Sequence, residues 1–204
     1  MRHPETPLSR ERIIDTALDL VNAQGLNRLT MRRLGDMLEV EAMAIYHHLP
    51  GGKDELLDGL AGRLMAVTAE LGAEPDWRHT LGVWARACRA HLLDHAGLLP
   101  LVFTRSAATP GTPQTLDAVY GALHGSGLPR QRVFDSMRTV SSYVLGYAMI
   151  EAQAHRSGAV REQVTPPIDA TQFPYAAELA AHHEGRGWDE QFEVGLRGIL
   201  TSID

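Results

Sequence analysis

Between Leu29 and Leu49 the chain carries two short helical segments joined by a tight turn: Leu29-Thr30-Met31-Arg32-Arg33-Leu34-Gly35-Asp36-Met37-Leu38, then Ala44-Ile45-Tyr46-His47-His48-Leu49. Helices below about 12–15 residues are marginal alone in water, so this pair can fold only by packing. The preceding segment offers the surface. Ser9 is placed as an N-cap, with Leu8 spaced to staple against Ile13. Ile13, Ile14, Ala17, Leu18 and Val21 then form one apolar stripe, and Gly25 supplies the stop. Thr30 caps the second helix, Leu29 and Leu34 repeat the staple, and Leu34, Met37 and Leu38 are expected to face inward. The third helix is expected over Ala42 to Leu49, broken by Pro50-Gly51-Gly52. Three helices packed this way leave the outer face of the third one free.

Helical periodicity also dominates the rest of the chain. A fourth helix starts at Lys53, with Asp54 and Glu55 in the first turn, where acids suit the helix dipole. Its apolar side is Leu56, Leu57, Leu60, Leu64 and Val67, and the pattern carries it to about Glu70. A break is expected at Gly72-Ala73-Glu74-Pro75. Helices are then expected over Trp77 to Asp94, around Leu98 to Thr104, over Gln114 to His124 and over Pro129 to His155. Ser157 to Pro174 reads as a loop, and Tyr175–Glu184 and Trp188–Ile203 close the chain. No strand-like alternation and no internal repeat stands out, so the expected fold is all-α. The expected domains are a helix-turn-helix head over 1–52, a connecting helix over 53–74 and a larger α-helical unit over 75–204.

Composition narrows the function. With 204 residues, 44% hydrophobic and 22% charged, the chain can bury a sizeable core. No run of about 18 apolar residues exists, so no spanning helix is expected. The first residues lack the apolar stretch of a secretion signal. Cys88 is the single cysteine, which excludes an intrachain disulfide and fits a reducing cytoplasm. A buried thiol acting as a small hydrophobe is the simpler reading of Cys88 than a reactive one. The net charge of −6 is unlike the basic footprint of many nucleic-acid binders. Residues 1–49 hold six Arg against seven acids. Any DNA affinity must then rest on a few placed contacts and on dimer symmetry.

The second and third helices offer such contacts. Backbone amides at helix starts, as at Thr30 and Lys53, can hold phosphate. Arg32 can reach guanine bidentately, and Ala42 and Ala44 are small enough to approach thymine methyls. Tyr46 and His48 can donate to phosphates and fix the register. Each has a plainer role: Tyr46 as core padding, His47 as a solvated residue, Arg32 as a partner for Asp36. On these residues the chain resembles the TetR family of transcriptional regulators. That family has a Thr-x-Arg start, a Leu-Tyr-x-His-Phe segment, and a Lys followed by acids and Leu. Here stand Thr30-Met31-Arg32, Ile45-Tyr46-His47-His48-Leu49 and Lys53-Asp54-Glu55-Leu56-Leu57.

The likeness covers residues 9–65. Beyond them the chain resembles the tetracycline-repressor subgroup at Asp76-Trp77-Arg78, Leu92-Leu93-Asp94-His95, Tyr143-Val144-Leu145-Gly146-Tyr147 and Phe192-Glu193-Val194-Gly195-Leu196. The resemblance implies that Thr30, Tyr46, His48 and Lys53 hold phosphates. It places Arg32, Ala42, Met43, Ala44 and His47 nearest the base edges of a palindromic operator. Two departures stand out. Pro50-Gly51-Gly52 puts one extra residue before Lys53, and Ala42 and Met43 bring few polar groups to the bases.

A small-molecule site is expected in the C-terminal unit. Candidate lining residues are Trp84, Cys88, His91, Phe103, Tyr120, Met137, Tyr143, Tyr147 and Phe173, with Arg105, Glu151 or Gln153 as polar anchors. Any one of them could equally be plain core. Tetracycline repressors hold their drug through magnesium bound by a His and, across the dimer, a Glu. The matching positions here, near Leu101–Val102 and Ile150, are apolar, so the expected inducer is mainly apolar and no cofactor is expected. His91-Leu92-Leu93-Asp94-His95 sets two imidazoles four residues apart, a spacing that suits zinc, yet no third ligand is evident. Homodimerisation is expected through 129–155 and 188–203, with Gly146, Ala148, Gly195 and Gly198 allowing close approach. Three alternatives stay open: an activator of the same fold, a metal-dependent hydrolase using His91 and His95, and a helical scaffold without DNA contact.

Overall fold

The computed structural model describes residues 7–71, 76–105, 111–156, 168–182 and 187–203, with only the backbone of 180–182. Every regular element among them is helical. The head is α1 (Arg10–Gln24), α2 (Met31–Leu38), α3 (Ala42–His48) and α4 (Gly52–Met65), with a short 3-10 turn at Leu26–Arg28. The C-terminal unit is α5 (Trp77–Asp94), a 3-10 turn at Ala96–Leu98, α6 (Leu101–Thr104), α7 (Pro113–Gly125), α8 (Arg130–Arg156), α9 (Pro174–His182) and α10 (Trp188–Thr201).

Local chemistry sets most helix limits. The Ser9 hydroxyl accepts from the Arg12 amide, a cap worth about 1 kcal/mol, and Gly25 ends α1 at φ 82°. Thr30 caps α2 by accepting from the Arg33 amide at 3.2 Å. Asp76 caps α5, and Thr112 caps α7 ahead of Pro113. The buried set of α1 is Ile13, Ile14, Ala17, Leu20 and Val21. Leu18, expected in that stripe, is only half-buried, and Leu20 takes its place. Leu34 and Leu38 turn inward as expected, but Met37 is 46% exposed because α2 buries the i, i+4 pair alone.

The fourth helix is shorter than its apolar pattern implied. It stops at Met65, where Val67 curls back to bond the Met65 carbonyl at 2.9 Å. Gly111 and Thr112 then donate to the carbonyls of Met65 and Val67 at 2.7 and 2.9 Å. Val67 is still buried, but from an extended segment. The expected break at 72–75, most of the Ser157–Pro174 loop and most of the Gly185-Arg186-Gly187 turn lie outside the described residues.

In the C-terminal unit α5 is the central element, packed against α7, α8 and α10. One apolar core runs from Ile13 through Leu60, Trp84, Cys88 and Val144 to Leu196. The head is therefore not a bead on a tether. It shares its hydrophobic contact with the unit behind it, and α1 also packs on the turn at Ala96–Leu98. Among the described helices, none is long and apolar enough to cross a membrane.

Candidate nucleic-acid interface

The turn between α2 and α3 is built on two backbone features. Glu39 sits in the left-handed region at φ 57°, which reverses the chain, and its amide and that of Val40 both bond the Gly35 carbonyl. Gly35 itself faces this turn. A Cβ there would stand 2.8 Å from the Val40 oxygen and 3.4 Å from the Ala42 nitrogen. Only glycine lets the start of α3 come so close to α2. A lone glycine in the middle of a short helix was the sequence signal for this close approach.

Once so placed, α3 is held by Ile45 and Leu49, both fully buried. Everything else on it points outward or sits at the rim. Met43 is 65% exposed and Tyr46 40%, while His47 and His48 are exposed and Ala42 and Ala44 half-buried. Tyr46 is thus not core padding. Its ring leans on Gly52, whose φ is +60° and whose Cβ, if present, would lie 2.9 Å from the ring. The Pro50-Gly51-Gly52 insertion therefore makes a seat for Tyr46 and still leaves Lys53 exposed in the first turn of α4.

Arg32 is exposed in the first turn of α2. Thr30 is exposed, and capping uses only a lone pair of its hydroxyl, so its O–H remains a donor. Thr30, Arg32, the outward residues of α3 and Lys53 are each exposed to water. Met43 and His47, four residues apart, share a face of α3.

Several acids of α1 and α4 are engaged by arginines of other helices. Glu55 accepts from the Gly51 amide at 3.0 Å and pairs with Arg10 at 3.2 Å. Asp15 pairs with Arg63 at 2.8 Å. Arg105 reaches across from the end of α6 to Asp54 at 2.7 Å and Asp58 at 2.8 Å. Those two acids hold the Arg105 guanidinium above its ordinary pKa.

The residues expected around a ligand do not gather in one place. Trp84, Cys88 and Met137 are core, and burial pushes the Cys88 thiol pKa up, far from a reactive value. Arg105 is committed to α4 instead of a ligand. His91 points its Nε2 at the Arg63 carbonyl, 3.2 Å away. Phe103, Tyr120 and Phe173 are exposed.

Tyr143, Tyr147 and Glu151 line the α8 face toward α10. The hydroxyls of Tyr143 and Tyr147 donate to the Phe192 and Trp188 carbonyls at 2.9 and 2.7 Å. Burial pushes the Tyr147 pKa up to about 12. Arg89, which sequence reasoning missed, grips Glu151 with two bonds of 2.6 and 2.8 Å and reaches Asp189 at 2.7 Å. Burial alone would lower its pKa, but the bonds to Glu151 and Asp189 outweigh that and leave it raised. These partners lie 62 and 100 positions from Arg89, so no local pattern could have shown them. Among the described residues, no three His, Cys, Asp or Glu side chains converge to hold a metal.

The small residues expected between dimer helices divide in two. Ala148 is buried and Gly195 lies directly against Tyr143, so both serve packing within one chain. A Cβ on Gly146 or Gly198 would meet nothing within 4 Å. Near them Ile150 and Val194 are 64% and 48% exposed.

Comparison with known proteins agrees with this geometry. Residues 13–60 match the family model described as bacterial regulatory proteins of the tetR family. Residues 71–204 match the tetracyclin repressor-like C-terminal domain. An HTH-type transcriptional regulator from Saccharopolyspora erythraea is 29% identical over 201 residues, covering 96% of this chain and 84% of that protein. The class A tetracycline repressor protein from transposon 1721 of Escherichia coli is 31% identical over 209 residues, covering 97% and 91%. The crystal structure of the Streptomyces coelicolor protein ActR in complex with actinorhodin superposes with a TM-score of 0.74 at 26% identity, covering 97% of each chain.

Proposed function

The chain belongs to the TetR family of bacterial transcriptional regulators, and from that premise we propose that it is a homodimeric repressor of a palindromic operator, released by a small, mainly apolar molecule. The observation that carries the DNA reading is the division of α3. Ile45 and Leu49 anchor it from beneath, while Met43, Tyr46, His47 and His48 all stand outward beside Arg32 and Lys53. The outer face is free to enter a major groove, which is wide enough for a helix. In this reading Thr30, Tyr46, His48 and Lys53 hold phosphates. Arg32, Ala42, Met43, Ala44 and His47 face the bases, with Arg32 and His47 supplying most of the polar readout.

The dimer reading is supported by the exposed positions Gly146 and Ile150 on α8 and Val194 and Gly198 on α10. Packing those positions on their copies would form a four-helix interface and set two α3 helices on adjacent major grooves, about 34–36 Å apart. The release reading is supported by how α4 is held. Arg105 clasps its first turns, and the backbone of Gly111 and Thr112 clasps its end. A ligand that shifts α6 or α7 would move α4 and the head with it, and operator and ligand would then disfavour one another reciprocally. A ligand for the C-terminal unit is also suggested by ActR, whose structure holds actinorhodin. The apolar Leu101, Val102 and Ile150 disfavour a magnesium-bridged drug here.

The test is selection of bound duplexes from a fully randomised library by the purified protein. An inverted repeat should be enriched and bound as one dimer per duplex. Recovery of no enriched sequence, or of a single unrepeated half-site, refutes the proposal.

A further inference from the structure

The His91–His95 pair, whose spacing first suggested a metal, takes no part in the DNA contacts. It sits instead where the head meets the unit behind it. The two rings meet edge to face, with centroids 4.7 Å apart. His91 Nε2 lies 3.2 Å from the Arg63 carbonyl in the last turn of α4, a contact that requires a proton on Nε2. His95 Nδ1 lies 3.2 Å from the Asn22 amide nitrogen and 3.5 Å from the amide oxygen in the last turn of α1, and the shorter contact takes Nδ1 as the acceptor. Two imidazoles on α5 thus fasten both long helices of the head.

The charges around them do not favour a cation. The Arg63 guanidinium of α4 is neutralised by Asp15 of α1 at 2.8 Å. Asp19 lies between Asp15 and Asn22 along α1 but is exposed to water. From α8, Arg156 donates to the Ala96 carbonyl at 3.2 Å, adding a positive charge next to His95. On α5 itself, Asp94 is the acid that favours a charged ring. Burial first, and then His91, outweigh it and hold the His95 pKa below the ordinary imidazole value.

We propose that His91 and His95 form a proton-sensitive joint that loosens α1 and α4 from α5 in mild acid and so lowers operator affinity without any inducer. A proton on Nδ1 would set N–H against N–H at Asn22. Turning the amide over restores that one contact but leaves a half-buried cation beside His91 and Arg156. The proposal rests on the DNA-binding reading above.

The test compares wild type, His95→Gln and Asn22→Asp on the selected duplex, at about pH 7.5 and about pH 5.8 and constant ionic strength. The other histidines are the same in all three proteins, so the readout is the ratio between proteins. Wild type should lose at least about threefold more affinity on acidification than His95→Gln. Asn22→Asp, which gives the proton a carboxylate partner, should also remove the loss. In nitrogen-15 spectra of the imidazoles, His95 should titrate below the free histidine range in wild type and above it in Asn22→Asp. Equal pH ratios in all three proteins, or a His95 titration unmoved by Asn22→Asp, overturn the proposal. If His95→Gln does not fold, Asn22→Asp and the imidazole titration still decide. If no duplex binds even at the higher pH, the DNA reading fails by itself. The joint is then judged by melting temperature, which should fall through the same pH interval in wild type but not in Asn22→Asp.

Discussion

Removing the Arg89 guanidinium should cost more stability than removing the Glu151 charge, although both make the same bond. Glu151 has only 4% of its side chain exposed, and apart from Arg89 it lies 3.7 Å from His155 Nε2, which is a charged partner only when protonated. Arg89→Met therefore strands a buried carboxylate, and breaking such a pair costs about 3–5 kcal/mol. In Glu151→Gln the guanidinium keeps Asp189 at 2.7 Å, and the amide oxygen still accepts one bond. That loss should stay at about 1.5–3 kcal/mol, the worth of hydrogen bonds to a charged group. For a chain of this length 1 kcal/mol moves the melting temperature by about 2–4 °C, so Arg89→Met should lower it by about 6–20 °C. The double replacement Arg89→Met with Glu151→Met should recover most of that, because an apolar pair strands no charge. Calorimetry at one fixed protein concentration measures all four proteins, since dimerisation would otherwise shift the transitions. The loss in Arg89→Met should also shrink in acid, where the stranded carboxylate takes up a proton. If Glu151→Gln proves at least as costly as Arg89→Met, or the double variant is worse than either, the buried pair does not work as described.

Three further outcomes follow from the geometry. Arg32→Ala should weaken binding to the selected duplex by about 1–3 kcal/mol and relax preference at one base pair per half-site, read by anisotropy on a mismatch series. Unchanged affinity and preference would remove Arg32 from base reading. Glu39→Gly should raise the melting temperature by up to about 6 °C, since left-handed strain of about 1–2 kcal/mol is relieved against about 0.4–1 kcal/mol of added chain entropy. A fall would mean that the Glu39 side chain contributes more than its backbone costs. The third concerns Glu193, whose pKa is lowered by its bonds to Arg86, against the effect of burial. A depressed carboxylate adds stability above its unfolded pKa and loses it as pH falls through the folded value. Acid melts of wild type should therefore steepen below the ordinary glutamate range, and Arg86→Ala should flatten that limb. The effect should be small, since both side chains are substantially exposed.

How much was legible in the sequence depended on the range of the interaction that decided each feature. Ser9, Thr30 and Gly25 act within one turn of themselves, and the helix limits they set could be read directly. The end of α4 could not, because Met65 and Val67 give their carbonyls to Gly111 and Thr112, more than forty positions on. The outward face of α3, proposed to meet DNA, was readable because it lies within one short segment whose core positions, Ile45 and Leu49, identify its outer ones by periodicity. The proposed ligand residues had no such frame. An aromatic type or a methionine does not say whether a side chain fills a core, as Trp84 and Met137 do, or stacks across helices, as Tyr143 and Tyr147 do. Gly146 and Gly195 show the same limit. Both are small residues on the helices proposed to form the dimer, yet one is open and the other carries Tyr143.

Charge, which argued most strongly against DNA binding, takes on a different meaning once it is placed. Asp15, Asp54, Glu55 and Asp58 contribute to the acidity of the head and α4, yet each faces an arginine, and those three arginines, Arg10, Arg63 and Arg105, each reach across to a different helix. Arg105 joins α6 to α4, and Arg63 joins α4 to α1. Those four acids thus serve as fastenings within the molecule, while Asp19, Asp36, Glu39 and Glu41 stay exposed, and the proposed phosphate contacts are Thr30, Tyr46, His48 and Lys53. Only Lys53 of those four carries a fixed positive charge. Few counterions would be released on binding, so non-specific affinity should be low and weakly dependent on salt. A regulator of this kind gains its hold on DNA from two correctly spaced heads, and spacing is what α4 and its arginine clasps control. The feature that keeps the head weakly attracted to DNA in general is then the same one that makes its binding sensitive to the state of the domain behind it.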